Sequence, residues 1–496
     1  MAELTAFLFL VVLMLWQRGA PNGVRDYLMV SGAFLTVLVV LVGGIFAGSV
    51  SFPAPPLAVM LFGIWIAVSV LWAGHWEQAV SGALLLLAGL IFLCVAQRAD
   101  PEWLLFLSFA PAPGVAGLMI FEKKEGFHSA GMFGNSNHSG VYLALNLLIG
   151  AWLAVNVTPW IAPFVAVVAA GIYRSGCRTA FVATGAGVAS LLFFYGEYGI
   201  FALLTAFIGL PVAAFVLLKN WHGRMEIFKN IVNLIAKKPI YGWGINNFRV
   251  ENWRAVPQFV THRAHNDYLE FVFELGVVGL VLFFGIFASV DWFRDPILSA
   301  QLVVALVAML GFFPFREVHT VLPILAVLAV TIPAAPGTVS LPLPVAAILC
   351  VAIPWLLWSH VGRKVVGLYF WVMGSRQKTR EDALPFMLRA LGFDANGEYV
   401  TRTILYAAKD HADLAWDLTG YMVYRYDGRL VKGAMMDQAS RMAYRMGAIA
   451  IARHWNRQAL GLKSTLKDDN ALKFKEVIDE AYRRISEGRH GTISMR

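Results

Sequence analysis

Apolar stretches of fifteen to twenty-three residues recur along most of this chain, parted by short polar breaks. They fall at 3–17, 26–48, 56–74, 77–96, 102–121, 139–157, 159–173, 180–195 and 199–218. After a long polar interval they resume at 268–290, 297–313, 318–334 and 341–359. About 20 apolar residues in helical form cross a bilayer, so the pattern predicts transmembrane helices and excludes a barrel of alternating strands. Two stretches are short, which sets the count at twelve or thirteen. The first lacks a basic leader and a small-residue cleavage site, so it reads as a retained span rather than a signal peptide.

The breaks divide the chain into four parts. Helices occupy 1–218, an extramembrane loop 219–267, further helices 268–359, and a polar tail 360–496. The tail alternates amphipathic stretches at 380–391, 400–418, 438–460 and 471–485 with glycine and helix-capping signals, the pattern of a small helical soluble domain. The expected class is therefore all-α: a polytopic membrane bundle with a helical C-terminal domain.

Composition agrees. Hydrophobic residues make up 58% and charged residues 14%, with a mean hydropathy of +0.65; soluble domains average about 25% charged. The net charge is +9, and most of it lies in the tail. From Ser359 to Arg496, 23 Lys+Arg outnumber 15 Asp+Glu by eight. A basic surface beside a membrane fits anionic headgroups or anionic substrates. No basic–aromatic stripe or nucleic-acid motif accompanies it, so nucleic acid is not an expected partner. Cys94, Cys177 and Cys350 are too scattered for a disulfide framework or a zinc pattern.

Four polar clusters interrupt the helices. The first runs Gly131-Met-Phe-Gly134-Asn135-Ser-Asn137-His138. The second is Arg174-Ser-Gly-Cys-Arg178-Thr179. The third leads from Gly223-Arg224 to Pro239-Ile-Tyr-Gly242-Trp243-Gly244, with Arg249 beyond it. The fourth is His262-Arg263-Ala264-His265-Asn266-Asp267. Even numbers of spans separate them, which puts all four on one membrane face. Arginine presents a planar fork that grips phosphate oxygens in pairs, so Arg174, Arg178 and Arg224 suit a diphosphate held at the surface. A histidine with an ordinary pKa near neutrality suits proton abstraction from a hydroxyl. His265 is the candidate base, and Asn266 or Asp267 its candidate orienter.

Each cluster also has a plainer reading. Asn135 and Asn137 suit a helix cap as well as a substrate, and Arg174 and Arg178 can reach headgroups. Gly242 and Gly244 suit a turn. Trp243 fits an interfacial belt as well as a sugar face. The His262-x-x-His265 pair lacks a third ligand in register, so no metal site and no cofactor are assigned. Arg316 and His319 fall near the same membrane edge, with no role assigned.

The pattern His265-Asn266-x9-Gly276-x-x-Gly279 resembles the signature of bacterial O-antigen ligases and the related polysaccharide polymerases. So do Phe133-Gly134-Asn135-x-Asn137, the segment ending at Arg178, Arg224 with its following helix, Pro239-x-x-Gly242-x-Gly244 and Phe313-Pro314-Phe315, together covering roughly residues 120–330. The resemblance implies a GT-C-like fold. It also implies metal-independent, inverting transfer of a glycan from undecaprenyl diphosphate to lipid A-core or a nascent polysaccharide, at the periplasmic face of the inner membrane. It implies catalytic roles for Arg224 and Arg178 on the diphosphate and for His265 near the acceptor; Arg174, Asn135, Asn137, His262, Arg263, Asn266, Trp243 and Arg249 are the candidate substrate-binding residues beside them. The basic loops favour a cytoplasmic active face by the positive-inside rule. A diphosphate site needs cations on either side, so the periplasmic side is the expectation. The rival reading is a transporter or flippase of the same lipid-linked glycans; transporters commonly carry inverted repeats, and none is evident here.

Overall fold

The structure is a computed structural model. It describes residues 48–74, 76–122, 135–195, 222–248, 263–377 and 379–393, plus isolated positions between 34 and 46 and at 133, 440, 453 and 456. Among these residues the chain is helical apart from one ribbon. The helices are α1 (Leu57–Ser69), α2 (Trp76–Ala96), α3 (Pro101–Phe109), α4 (Pro111–Phe121), α5 (Ser136–Asn156), α6 (Ala162–Ser175) and α7 (Arg178–Phe194). They continue with α8 (His222–Ile235), α9 (Asp267–Ala288), α10 (Pro296–Ala308), α11 (Val318–Thr331), α12 (Leu343–Leu357), α13 (Arg363–Ser375) and α14 (Arg380–Phe393).

Four apolar helical stretches are long enough to cross a membrane: Gln78–Ala96, Pro101–Phe121, Ser136–Asn156 and Asp267–Ala288. Six shorter apolar helices account for the other expected spans within the described residues. The expected spans at 3–17 and 199–218 lie outside the described residues, as does most of 26–48. Leu41, from that last stretch, packs with Ala346 and Ile353 of α12.

Three boundaries differ from the sequence expectation. The stretch at 297–313 leaves the helix after Ala308. Residues 50–53, expected as loop, form β1 (Val50–Pro53) and pair antiparallel with β2 (Thr338–Leu341). The tail opens with α13, which was not expected, before α14 takes the place of 380–391. The remaining tail helices lie outside the described residues.

Chain contacts group the molecule into two compact units, Met1–Phe248 with Arg263–Val361, and Arg249–His262 with Gly362–Arg496. In the second, α13 packs along α14, with Phe370 stacked on Phe393 at 5.7 Å. In the first, α5 is the hub, touching α3, α4, α6, α7, α10 and α11. Small residues let these helices approach closely, as expected where lipid offers no competing hydrophobic drive. Gly150 of α5 abuts the Phe109 ring, Gly171 of α6 abuts Ala116, and Gly187 of α7 abuts Val304 of α10.

Helix α9 is broken from within. Gly276 has φ 69 and ψ −175, a conformation open essentially to glycine alone. The break strands backbone groups at membrane depth, where each needs a partner. The loop after α8 supplies most of them. Trp243 N–H donates to Phe273 O (2.9 Å), Gly244 N–H to Glu274 O (2.8 Å), and Pro239 O and Ile240 O accept from Val277 N–H (2.8 Å) and Val278 N–H (3.3 Å). The Trp65 indole N–H donates to Leu275 O at 2.9 Å. Pro239-x-x-Gly242-x-Gly244 and Gly276 thus form two halves of one backbone-to-backbone contact. A Cβ at Gly276 would lie 2.0 Å from Ile240 O, and one at Gly242 would lie 2.4 Å from Glu274 O. Gly276→Ala is therefore expected to cost roughly 2–4 kcal/mol in backbone strain and overpacking. Thermal unfolding in detergent checks this, and an unchanged midpoint would contradict the account.

Candidate functional site

His265 sits one residue before the N-cap of α9, in the left-handed region at φ 54. Histidine adopts that conformation more readily than most residues, yet it still needs support from its surroundings. Both flanks are tied down. Ala264 N–H donates to the Glu270 carboxylate at 2.9 Å. Asn266 Oδ1 caps the helix by accepting from Leu269 N–H (3.0 Å), and its Nδ2 donates to Leu310 O (3.1 Å). Asp267 N–H donates to Met309 O at 3.0 Å. The imidazole side chain takes no part in these bonds, so the turn is fixed by its neighbours.

The residues that leave α10 early, Met309–Phe313, are where the polar clusters meet. Asn266 and Asp267 bond to Leu310 and Met309, as above. Thr179, beside Arg178, donates to Gly311 O at 3.5 Å. Phe313 lies edge-on to His265 at 5.4 Å and edge-on to His138 at 5.5 Å. The first two clusters also touch directly: Cys177 Sγ approaches Asn137 O at 3.8 Å. Three of the four clusters therefore share one end of the helix bundle.

Arg178 is exposed at the first position of α7. A cation is disfavoured at the positive end of a helix. Side chain and first-turn N–H groups there present one sign of charge, an arrangement suited to an anion. Arg174 is half-buried in the last turn of α6, two residues before Gly176 turns the chain in the left-handed conformation at φ 61.

Beneath His265 lies a buried ionic cluster that sequence reasoning left unassigned. Asp267, Glu270 and Glu274 fall on one face of α9, all fully buried, around Arg316, which is 3% exposed. Arg316 Nη1 lies 2.8 Å from Glu274 Oε2, and its Nε lies 3.7 Å from Glu270 Oε1 and 3.8 Å from Asp267 Oδ1. Its guanidinium also covers the Phe271 ring at 4.7 Å. Asp267 Oδ2 accepts from Phe315 N–H at 2.9 Å, and Arg263 Nη1 pairs with Glu270 at 3.1 Å. Asp267 is thus engaged with Arg316 and Phe315. A signal was present: carboxylates spaced three and four apart on a membrane helix require a cation.

The other sequence candidates fall as follows. Asn135 is the N-cap of α5, accepting from Asn137 N–H at 2.9 Å. The Trp243 indole N–H donates to Leu234 O at 3.0 Å, one ring face stacks on Phe273 at 6.0 Å, and Lys238 Nζ lies 4.2 Å from the ring centre. Trp243 thereby braces the α8–α9 contact. Arg224 belongs to the first turn of α8, but its side chain lies outside the described residues, as do Arg249 and His262.

Residues 129–284 match the model of a protein family described as O-antigen ligase. The matched span contains all four polar clusters and closes within α9. It supports glycan transfer of the ligase or polymerase type. No curated protein matches the chain.

Proposed function

We propose that this protein transfers a glycan from an undecaprenyl-diphosphate donor to an acceptor hydroxyl at the periplasmic face of a bacterial inner membrane. The acceptor is lipid A-core or a growing polysaccharide, the transfer inverts the anomeric centre, and it requires no metal ion. The observation that carries this reading is the convergence of His265 and the Arg178 helix start on Met309–Phe313.

In this reading His265 takes the proton from the acceptor hydroxyl as its oxygen attacks the anomeric carbon. The bond from that carbon to the diphosphate breaks on the opposite face, which gives inversion in one displacement. The diphosphate leaves with the electron pair; Arg178 and Arg224 hold the developing charge, and Arg174 binds the donor. Arg263 stays paired to Glu270 and keeps the His265 turn in place. The basic tail, residues 360–496, carries a positive charge suited to anionic headgroups or an acidic glycan.

The test uses purified full-length protein, lipid-diphosphate-linked glycan and acceptor in detergent. Arg178→Lys is expected to be nearly as damaging as Arg178→Ala, each lowering turnover roughly 10²-fold, because a point charge does not reproduce a bidentate fork. EDTA is expected to leave turnover unchanged. A lysine variant with most of its activity intact would reduce the arginine to a general field. Turnover that vanishes on chelation and returns with magnesium or manganese would overturn the metal-free mechanism.

A further inference from the structure

The ring of aromatic residues behind Phe313 contains a set of side chains that the transfer reaction does not use. His138 lies in the first turn of α5, Glu317 is the N-cap of α11, and His319 is the second residue of α11. One ligating atom from each of the three lies within 4.8 Å of those of the other two. We propose that His138, Glu317 and His319 bind a divalent transition-metal ion of the zinc class, tying the start of α5 to the start of α11.

The donor chemistry fits. Two imidazoles and one carboxylate form a ligand set that zinc takes in tetrahedral sites, leaving a fourth position for water. Zinc–ligand bonds of about 2.0–2.1 Å place ligand atoms roughly 3.3 Å apart. A small rotation of the half-buried Glu317 and His138 side chains closes the set around an ion. Softer nitrogen donors favour zinc over magnesium or calcium, which prefer oxygen throughout.

The surroundings hold the ligands ready. Phe133 stacks on His319 at 4.1 Å, and Phe312 meets His138 edge-on at 4.9 Å, so both rings are confined by packing. Tyr142, one turn along α5 from His138, has its ring 6.2 Å from that of His319. Its hydroxyl is buried and has no hydrogen-bond partner among the described residues; a water in the fourth position would be such a partner. Arg316, next to Glu317 in the chain, is paired with Asp267, Glu270 and Glu274, so its charge is balanced by carboxylates other than Glu317. His319 is 1% exposed, whereas His138 and Glu317 are only half-buried and give an ion a way in.

The site is a tie between helices, separate from the proton transfer at His265. Its test is direct binding by untagged full-length protein in detergent, measured by zinc competition with a fluorescent chelator and by metal content after dialysis. The expected result is one zinc per chain. Replacing zinc with cobalt(II) should give the visible absorption bands of a tetrahedral site. Glu317→Gln and His138→Ala, at half-buried positions, should each weaken binding by more than tenfold, as loss of a ligand costs at least what loss of a supporting contact does. His360→Ala should bind as the parent does. Zinc should raise the unfolding temperature of the parent and not that of Glu317→Gln. Absence of stoichiometric zinc in the parent, or one zinc retained at full affinity in both ligand variants, would overturn the site. Zinc binding without dependence of transfer on chelators leaves the proposed mechanism standing; zinc-dependent transfer would refute its metal independence while keeping the site.

Discussion

Glycan transfer by His265→Ala should fall roughly 10²–10⁴-fold, the usual cost of losing a positioned general base, while the protein remains folded. The turn that carries His265 is held by Ala264 N–H on Glu270, by the Asn266 cap and by Asp267 N–H on Met309 O. None of these uses the imidazole. His265→Asn is the sharper variant, because asparagine also tolerates φ near 54 but cannot take up the proton. Both variants should elute and unfold like the parent and still bind the lipid-diphosphate donor. Near-parental turnover by His265→Asn would remove His265 from the chemistry and leave its backbone conformation as a purely architectural feature.

Arg316→Met should have the largest effect on stability. Methionine keeps much of the volume but leaves three fully buried carboxyls with, among the described residues, the partly exposed Arg263 as their counter-charge. Removing one partner of a buried ionic set costs about 3–5 kcal/mol. The expected outcome is low yield and early unfolding in detergent. Adding Glu274→Gln should recover part of the loss, because Glu274 makes the closest approach to the guanidinium, 2.8 Å. Arg316→Lys should fall between, since one ammonium cannot reach the three carboxyls that a guanidinium fork spans. An Arg316→Met protein as stable as the parent would show that the carboxyls do not need the cation.

Much of this architecture was legible in the chain because membrane helices are long, apolar and locally determined. The stretches at 77–96 and 139–157 appear almost as read, as α2 and α5. The even spacing of clusters predicted one membrane face for all four. The Cys177–Asn137 and Thr179–Gly311 contacts bring two of them to the His265 turn, while the Gly242–Gly244 segment packs against the α9 break instead. The remainder depended on partners distant in sequence. Glu270 and Glu274 stood out in an apolar helix, but nothing local identified Arg316 as their cation. Gly311-Phe312-Phe313 reads as the end of a helix, and its role as a junction depends on Asn266 and Thr179 reaching it. The β1–β2 ribbon joins segments of four residues each, nearly three hundred positions apart, too short and too remote for any periodic signal. Gly242 and Gly276 were each visible as glycines of a motif; only the backbone contact between them explains why both lack a side chain.

The central claim is that the His265 end of the bundle joins a glycan covalently to an acceptor and does not merely move one across a membrane. Detergent solution abolishes compartments, so transport leaves no product there. Purified protein in detergent should therefore be given a radiolabelled glycan on undecaprenyl diphosphate and an acceptor, and both products followed together. The account predicts labelled glycan on the acceptor and free undecaprenyl diphosphate in equal amounts, with both signals lost in His265→Asn. Vectorial movement of the intact donor in liposomes, with no glycosylated acceptor in detergent, would contradict it.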